Sequence, residues 1–166
     1  MLVGLLSDTH GFLDDALVTT FANCDELWHA GDFGTAEVLD RLEGVKPVRC
    51  VFGNIDGPEL RARMPEDLEW VSDGVRIYMT HIGGYPGRYE TRARRELQRR
   101  KPDVFICGHS HIPRVMRDEK LGLVHLNPGA CGHAGWHKDR TAMRFEIIAG
   151  KIEKLELLPL GKRGRK

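Results

Sequence analysis

Asp8 and His10 stand two apart in Ser7-Asp8-Thr9-His10, and His109 and His111 repeat the spacing in Gly108-His109-Ser110-His111. Between them lie Asp32 in Ala30-Gly31-Asp32, Asn54 in Gly53-Asn54-Ile55-Asp56, and His81 in Met79-Thr80-His81. Two carboxylates, one amide and four imidazoles form a mixed N/O donor set, suited to Mn, Fe, Zn, Ni or Co rather than to a soft thiolate site. Seven ligands are too many for one tetrahedral ion. They suit two divalent ions about 3.5–4 Å apart, bridged by a carboxylate and a hydroxide. On extended backbone, residues two apart share a face, so Asp8/His10 and His109/His111 are each expected to point into one cleft from an extended stretch. Gly31, Gly53 and Gly108 permit the sharp turns and close approaches such a cleft needs.

These residues need a scaffold that brings distant segments to one rim. Short apolar runs at Leu2–Leu6, Glu26–His29, Pro47–Phe52 and Val104–Cys107 read as strands, and Leu13–Phe21, Thr35–Leu42 and Tyr89–Arg100 as helices. Strands alternating with helices imply βαβ units and a largely parallel sheet. Leu68–Val71 and Val75–Thr80 flank Ser72-Asp73-Gly74, a hairpin signal. After residue 112, Pro113–Arg117, Leu121–Leu126, Arg140–Ile148 and Lys151–Leu158 read as an antiparallel meander. The expected fold is α/β: two mixed sheets face to face with helices outside. Each ligand candidate follows the carboxyl end of a strand, where α/β sheets bind their ligands.

The chain has 166 residues, with 25 Lys and Arg against 24 Asp and Glu. That length fits a single domain, expected over residues 1–160. The near balance of charge argues against nucleic-acid binding through a global positive field. Residues 161–166 carry four basic residues and nothing apolar, and read as a disordered tail. The N-terminal apolar run is too short for a signal peptide or a membrane span, and the four cysteines form no C-x-x-C pair. The expectation is a cytoplasmic protein with reduced, buried thiols and no membrane partner.

Asp-x-His, Gly-Asp, Gly-Asn-x-Asp, a lone His after a strand and Gly-His-x-His occur here in the order found in the calcineurin-like metallophosphoesterases. The resemblance runs from Asp8 to about Gly129, and the short chain is similar to the small bacterial and archaeal phosphodiesterase branch. It implies an αββα sandwich holding two divalent ions, Mn foremost. By that resemblance Asp8, His10, Asp32 and His111 would hold one ion. Asp32, Asn54, His81 and His109 would hold the other, with Asp32 bridging. The implied reaction is hydrolysis of a small aryl, cyclic or nucleotide-like phosphodiester by a metal-bridging hydroxide, with Asp32, Asn54, His81 and His109 at the reacting centre. Many relatives carry histidine after Gly-Asn, where it serves the leaving oxygen; Ile55 can do no such thing, which favours diesters and good leaving groups. The alternative on the same fold is a non-catalytic scaffold. The retromer subunit that resembles this family has lost the histidine of its Asp-x-His block, whereas His10 is present here.

Around this set, Asp56 and His29 are expected to orient ligands or their loops. Gly84 and Arg88, in the loop Ile82–Arg88, are candidates to touch substrate, Arg88 through a bidentate grip on phosphate. His125 reads as structural, while His133 and His137 follow Asn127-Pro128-Gly129 on a loop. The basic run Arg92–Lys101 reads as a solvated helix face, with Glu96 pairing to Arg92 and Arg100. Trp70 and Trp136 are candidates either for the core or for contact between copies in a homo-oligomer.

Overall fold

Strand β1 (Leu2–Leu6) alternates the faces on which its side chains are buried: Val3 and Leu5 join one apolar cluster and Leu6 joins another. That alternation, period two, marks a strand covered on both sides. The computed structural model describes residues 1–164. In chain order β1 is followed by α1 (Asp15–Phe21), β2 (Glu26–His29), α2 (Ala36–Glu43), β3 (Val48–Cys50), α3 (Pro58–Arg63), β4 (Asp67–Ser72), β5 (Val75–Thr80), β6 (Gly84–Tyr85) and β7 (Arg88–Tyr89). Then come α4 (Thr91–Arg100), β8 (Val104–Ile106), β9 (Arg114–Asp118), β10 (Leu123–Asn127), β11 (Asp139–Ile148) and β12 (Lys151–Lys162).

Two five-stranded sheets result, ordered β12-β11-β1-β2-β3 and β4-β5-β8-β10-β9. β1, β2 and β3 run parallel, as do β5, β8 and β10; the outer pairings with β11, β12, β4 and β9 are antiparallel. Between the sheets Val3, Leu5 and Trp28 meet Ile77, Met79 and Ile106. On the outer face of the first sheet, Leu17, Phe21, Leu39 and Leu42 from α1 and α2 pack with Leu6 and Leu27. Outside the second, Ala93 and Leu97 of α4 pack with Tyr78 and Phe105. This is the expected αββα sandwich of mixed sheets.

Several expectations need correction. The segments after residue 112 are not one meander: β9 and β10 pair in the second sheet, and the chain then crosses so that β11 and β12 edge the first. A hairpin's local pattern does not say which sheet it joins; burial on β11 does, because Met143 and Phe145 enter the core between the sheets. The expected tail is partly strand, since β12 continues through Lys162, and the backbone N–H groups of Arg163 and Gly164 bond to Lys138 O and His133 Nδ1. Arg165 and Lys166 lie outside the described residues. Glu96 pairs with Arg99 and Arg100, while Arg92 leans the other way to Asp67 and Glu66. Helix α3 adds to the expected helices, and Pro58 at its first turn is its start signal.

Candidate metal centre

The strand ends place the ligand candidates together. Loops after β1 and β2 are stitched by backbone bonds from Asp8 N to Gly31 O (2.9 Å) and from His10 N to Asp32 O (3.0 Å). The loop after β8 is tied to His81 through Gly108 N (2.9 Å), and the segment after β10 to Ser7 and Asp8 through Cys131 N and Gly132 N. Two clusters form at this rim: Asp8, His10 and His111, and Asp32, His81 and His109, each offering ligand atoms within 4.8 Å of one another. Asp32 joins them, with Oδ2 at 3.6 Å from His10 Nε2 and Oδ1 at 3.3 Å from His81 Nε2.

The extended-backbone reading of the paired ligands does not hold. Asp8 (φ 55°), His10 (φ 47°), Asp32 (φ 59°), His109 (φ 66°) and His111 (φ 59°) are all left-handed, five of the nine such non-glycine residues among those described. Their strands end at Leu6, His29 and Ile106, so the ligands sit on tight turns beyond the pleat. Left-handed backbone costs roughly 1–2 kcal/mol for an L-residue, and Asp and His tolerate it better than most. Such strain persists only where the surroundings enforce it, typically at functional sites.

The glycines allow close approach. A Cβ on Gly53 would lie 2.0 Å from Asp32 Oδ1 and 2.4 Å from Asp32 N. One on Gly31, itself at φ 97°, would lie 2.6 Å from His81 Nδ1.

Polar neighbours fix each donor. Ser7 Oγ donates to Asp8 Oδ2 (2.6 Å), as does His109 N (3.1 Å), leaving Oδ1 to face the cluster. The Ile55 N–H donates to Asp32 Oδ1 (3.1 Å). The Ile55 side chain is 45% exposed and adds no polar atom. Asp56 ties two loops, accepting from Gly34 N (2.9 Å) and Gly53 N (2.7 Å). His29 is fully buried and stacked on Phe33; its Nδ1 accepts from Gly31 N and its Nε2 donates to Thr9 Oγ1. Burial pushes His29 down to about 3, so it stays neutral in that role. Both residues thus bond to the loops that carry the ligand candidates.

Two imidazole tautomers follow from these bonds. His81 Nδ1 bonds Ala30 O at 2.7 Å and must carry the hydrogen, so the lone pair of a neutral His81 is at Nε2, 3.3 Å from Asp32 Oδ1. His137 Nε2 bonds Gly132 O (3.1 Å), so its Nδ1 accepts from His111 Nδ1 (3.1 Å) and the His111 lone pair is at Nε2, 3.1 Å from Asp8 Oδ1. A lone pair held against a carboxylate oxygen is repelled unless positive charge lies between them. Burial would raise the carboxyl pKa values of Asp8 and Asp32. The neighbouring histidines outweigh it and hold both below the ordinary range. For His81 burial works toward neutrality, but Asp32 and Asp8 raise its pKa instead. Asp8 Oδ1, His10 Nε2 and His81 Nε2 are buried without a hydrogen bond, three of five such side-chain atoms among the described residues. The donor set, its acidic charge and its orphaned atoms fit divalent cations.

Sequence reading missed Ser7, Thr9, Asn127 and the orienting part of His137. Asn127 donates to Gly108 O (2.9 Å) and Ser110 Oγ (3.2 Å), holding the His109–His111 turn. The Asn127-Pro128-Gly129 turn was the one available signal. Asn54 is exposed and lines a cavity of 360 Å³ together with His81, Arg61, Glu90 and Arg92. Gly84 and Arg88 are placed differently. Gly84 (φ 75°) gives its carbonyl to His125 Nε2 (3.0 Å), and Arg88 lines a separate cavity with Tyr89, Arg94 and Asp118.

The sandwich and its rim of Asp, Asn and His define a metallohydrolase-type site. Residues 1–150 match the model of the calcineurin-like phosphoesterase superfamily domain, and the chain belongs to that superfamily. It is 33% identical over 136 residues to a probable metallophosphoesterase of Methanothermobacter thermautotrophicus, covering 78% of this chain and 77% of that one. Its fold matches a predicted phosphoesterase from Streptococcus pneumoniae with a TM-score of 0.72 at 23% identity, covering 95% of this chain and 88% of the other. It also matches Vps29 from Entamoeba histolytica, solved in complex with zinc, with a TM-score of 0.73 at 20% identity over 96% and 99% of the two chains. No helix among the described residues is long and apolar enough to cross a membrane.

Proposed function

We propose that this protein is a two-metal phosphodiesterase, with Mn the first choice of ion and Ni, Fe, Zn or Co the alternatives. The observation that carries the reading is Asp32, whose two oxygens face two separate histidine groups at 3.6 and 3.3 Å. Asp8, His10, Asp32 and His111 would hold one ion, and Asp32, Asn54, His81 and His109 the other. When bound, such a pair lowers the pKa of a water and offsets negative charge on phosphoryl oxygens.

The chain's own residues prepare that chemistry. Ser7 and the His109 N–H turn one Asp8 oxygen away, so the other is presented. Ala30 O and His137 commit the Nδ1 protons of His81 and His111, leaving Nε2 as ligand in both. Asn54, on the wall of the 360 Å³ cavity, would donate its side-chain N–H to an equatorial phosphoryl oxygen. Ile55 has no proton to give a leaving alkoxide, so aryl diesters are cleaved faster than alkyl monoesters. Three orphaned buried ligand atoms and five left-handed ligand residues support metal binding, which a metal-free scaffold would not need.

Protein stripped with a chelator and assayed on bis(4-nitrophenyl) phosphate is expected to be inactive and to recover with Mn. Asp32→Asn is expected to abolish recovery. Full turnover in the stripped protein, or in the variant, would overturn the reading.

A further inference from the structure

Another cavity, of 240 Å³, includes two of the ligand candidates in its walls, which are formed by His109, His111, Ser110, Ile112 and Trp136 among others. Trp136 is 98% exposed and Ile112 55% exposed, so an indole stands in water beside two ligand candidates. Its neighbours are anchored. His137 bonds both His111 and Gly132, and a Cβ on Gly135 would lie 2.2 Å from His111 Nδ1. The indole is thus held at the mouth of the site by a turn that grips a ligand ring, yet it packs almost nothing of its own chain.

The other cavity, lined by Asn54, Arg61, Glu66 and Arg92, is strongly charged. A phosphodiester has two ester arms, and two cavities share ligand residues with the cluster, one Asn54 and His81, the other His109 and His111. We propose that Trp136 is the stacking platform for a flat aromatic group on one arm of the substrate, with the polar arm directed to the charged cavity. This rests on the phosphoesterase reading and names its substrate class. Exposed indole faces suit such a task, because every aromatic ring or base offers a π-face and stacking gains little from hydrogen-bond readout.

The test is a calorimetric titration of Mn-loaded protein, with emission followed alongside in the wild type, where Trp28 is buried, Trp70 half-buried and Trp136 alone of the three stands in solvent. Phenyl phosphate is compared with methyl phosphate, and adenosine monophosphate with ribose 5-phosphate. The two pairs ask whether the ring sits on the ester oxygen or a sugar away. In at least one pair the aromatic member is expected to bind about tenfold more tightly and to quench emission. That preference should vanish in Trp136→Ala and persist in Trp136→Phe. Equal affinity within both pairs, or a preference that survives in Trp136→Ala, would overturn the inference and leave the phosphoesterase reading intact. Failure of all four phosphates to bind would overturn the inference, while the phosphodiesterase reading stands or falls on turnover of bis(4-nitrophenyl) phosphate.

Discussion

The Nδ1 atoms of His111 and His137 lie 3.1 Å apart, and that contact decides which nitrogen of His111 faces Asp8. His137 has its own Nε2 hydrogen committed to Gly132 O. Burial lowers the pKa of His137, which keeps the ring neutral and able to accept. Partners that orient a ligating imidazole in this way typically contribute 10- to 100-fold to metal affinity. His137→Ala is therefore expected to weaken Mn binding by about that factor in a calorimetric titration, with little change in thermal stability. Unchanged affinity would mean that His111 keeps its orientation without help.

Gly53 gives a sharper steric prediction. A methyl group there would overlap Asp32 at its carboxylate and its backbone nitrogen, and overpacking of this kind costs roughly 1–3 kcal/mol. Gly53→Ala should fold with native circular dichroism, lose about that stability, and lose Mn-dependent activity by at least about 100-fold. Gly57→Ala is the control, because a Cβ on Gly57 meets nothing within 4 Å. Wild-type activity in Gly53→Ala would show that the Asp32 loop can yield.

His125 tests the balance of charge in the second sheet, away from the ligands. It is fully buried, donates to Gly84 O at 3.0 Å, and burial pulls its pKa from 6.5 to about 4. The folded state thus binds fewer protons than the unfolded state between those values, so stability falls as pH drops from about 6.5 toward 4. From pH 7 to 4.5 the group accounts for about 2–3 kcal/mol. Urea unfolding in chelator should show His125→Gln losing that much less stability than the wild type over the interval. An identical pH slope in the two proteins would contradict the assignment.

Much of the site was legible because ligand chemistry is local. Asp8, His10, Asp32, His81, His109 and His111 could be read from residue type and from their place after apolar runs, and the structure gathers all six. What positions them was less legible. The left-handed turns leave no pattern in side-chain type, so the Asp-x-His spacing suggested an extended stretch. His137 lies 26 residues from His111, and Asp14 lies 126 from Arg140, which it pairs with at 2.9 Å. Contacts closed over such separations depend on the finished sandwich. The same holds for β11 and β12, whose hairpin was readable but whose place beside β1 was not.

The proposed centre for two ions bridged by Asp32 makes a stoichiometric prediction. The most direct measurement is to titrate chelator-stripped protein with Mn while following hydrolysis of bis(4-nitrophenyl) phosphate. No turnover is expected without metal, and a rise that levels off at two equivalents of Mn per chain. Turnover that ignores Mn, or that is complete at one equivalent, would contradict it.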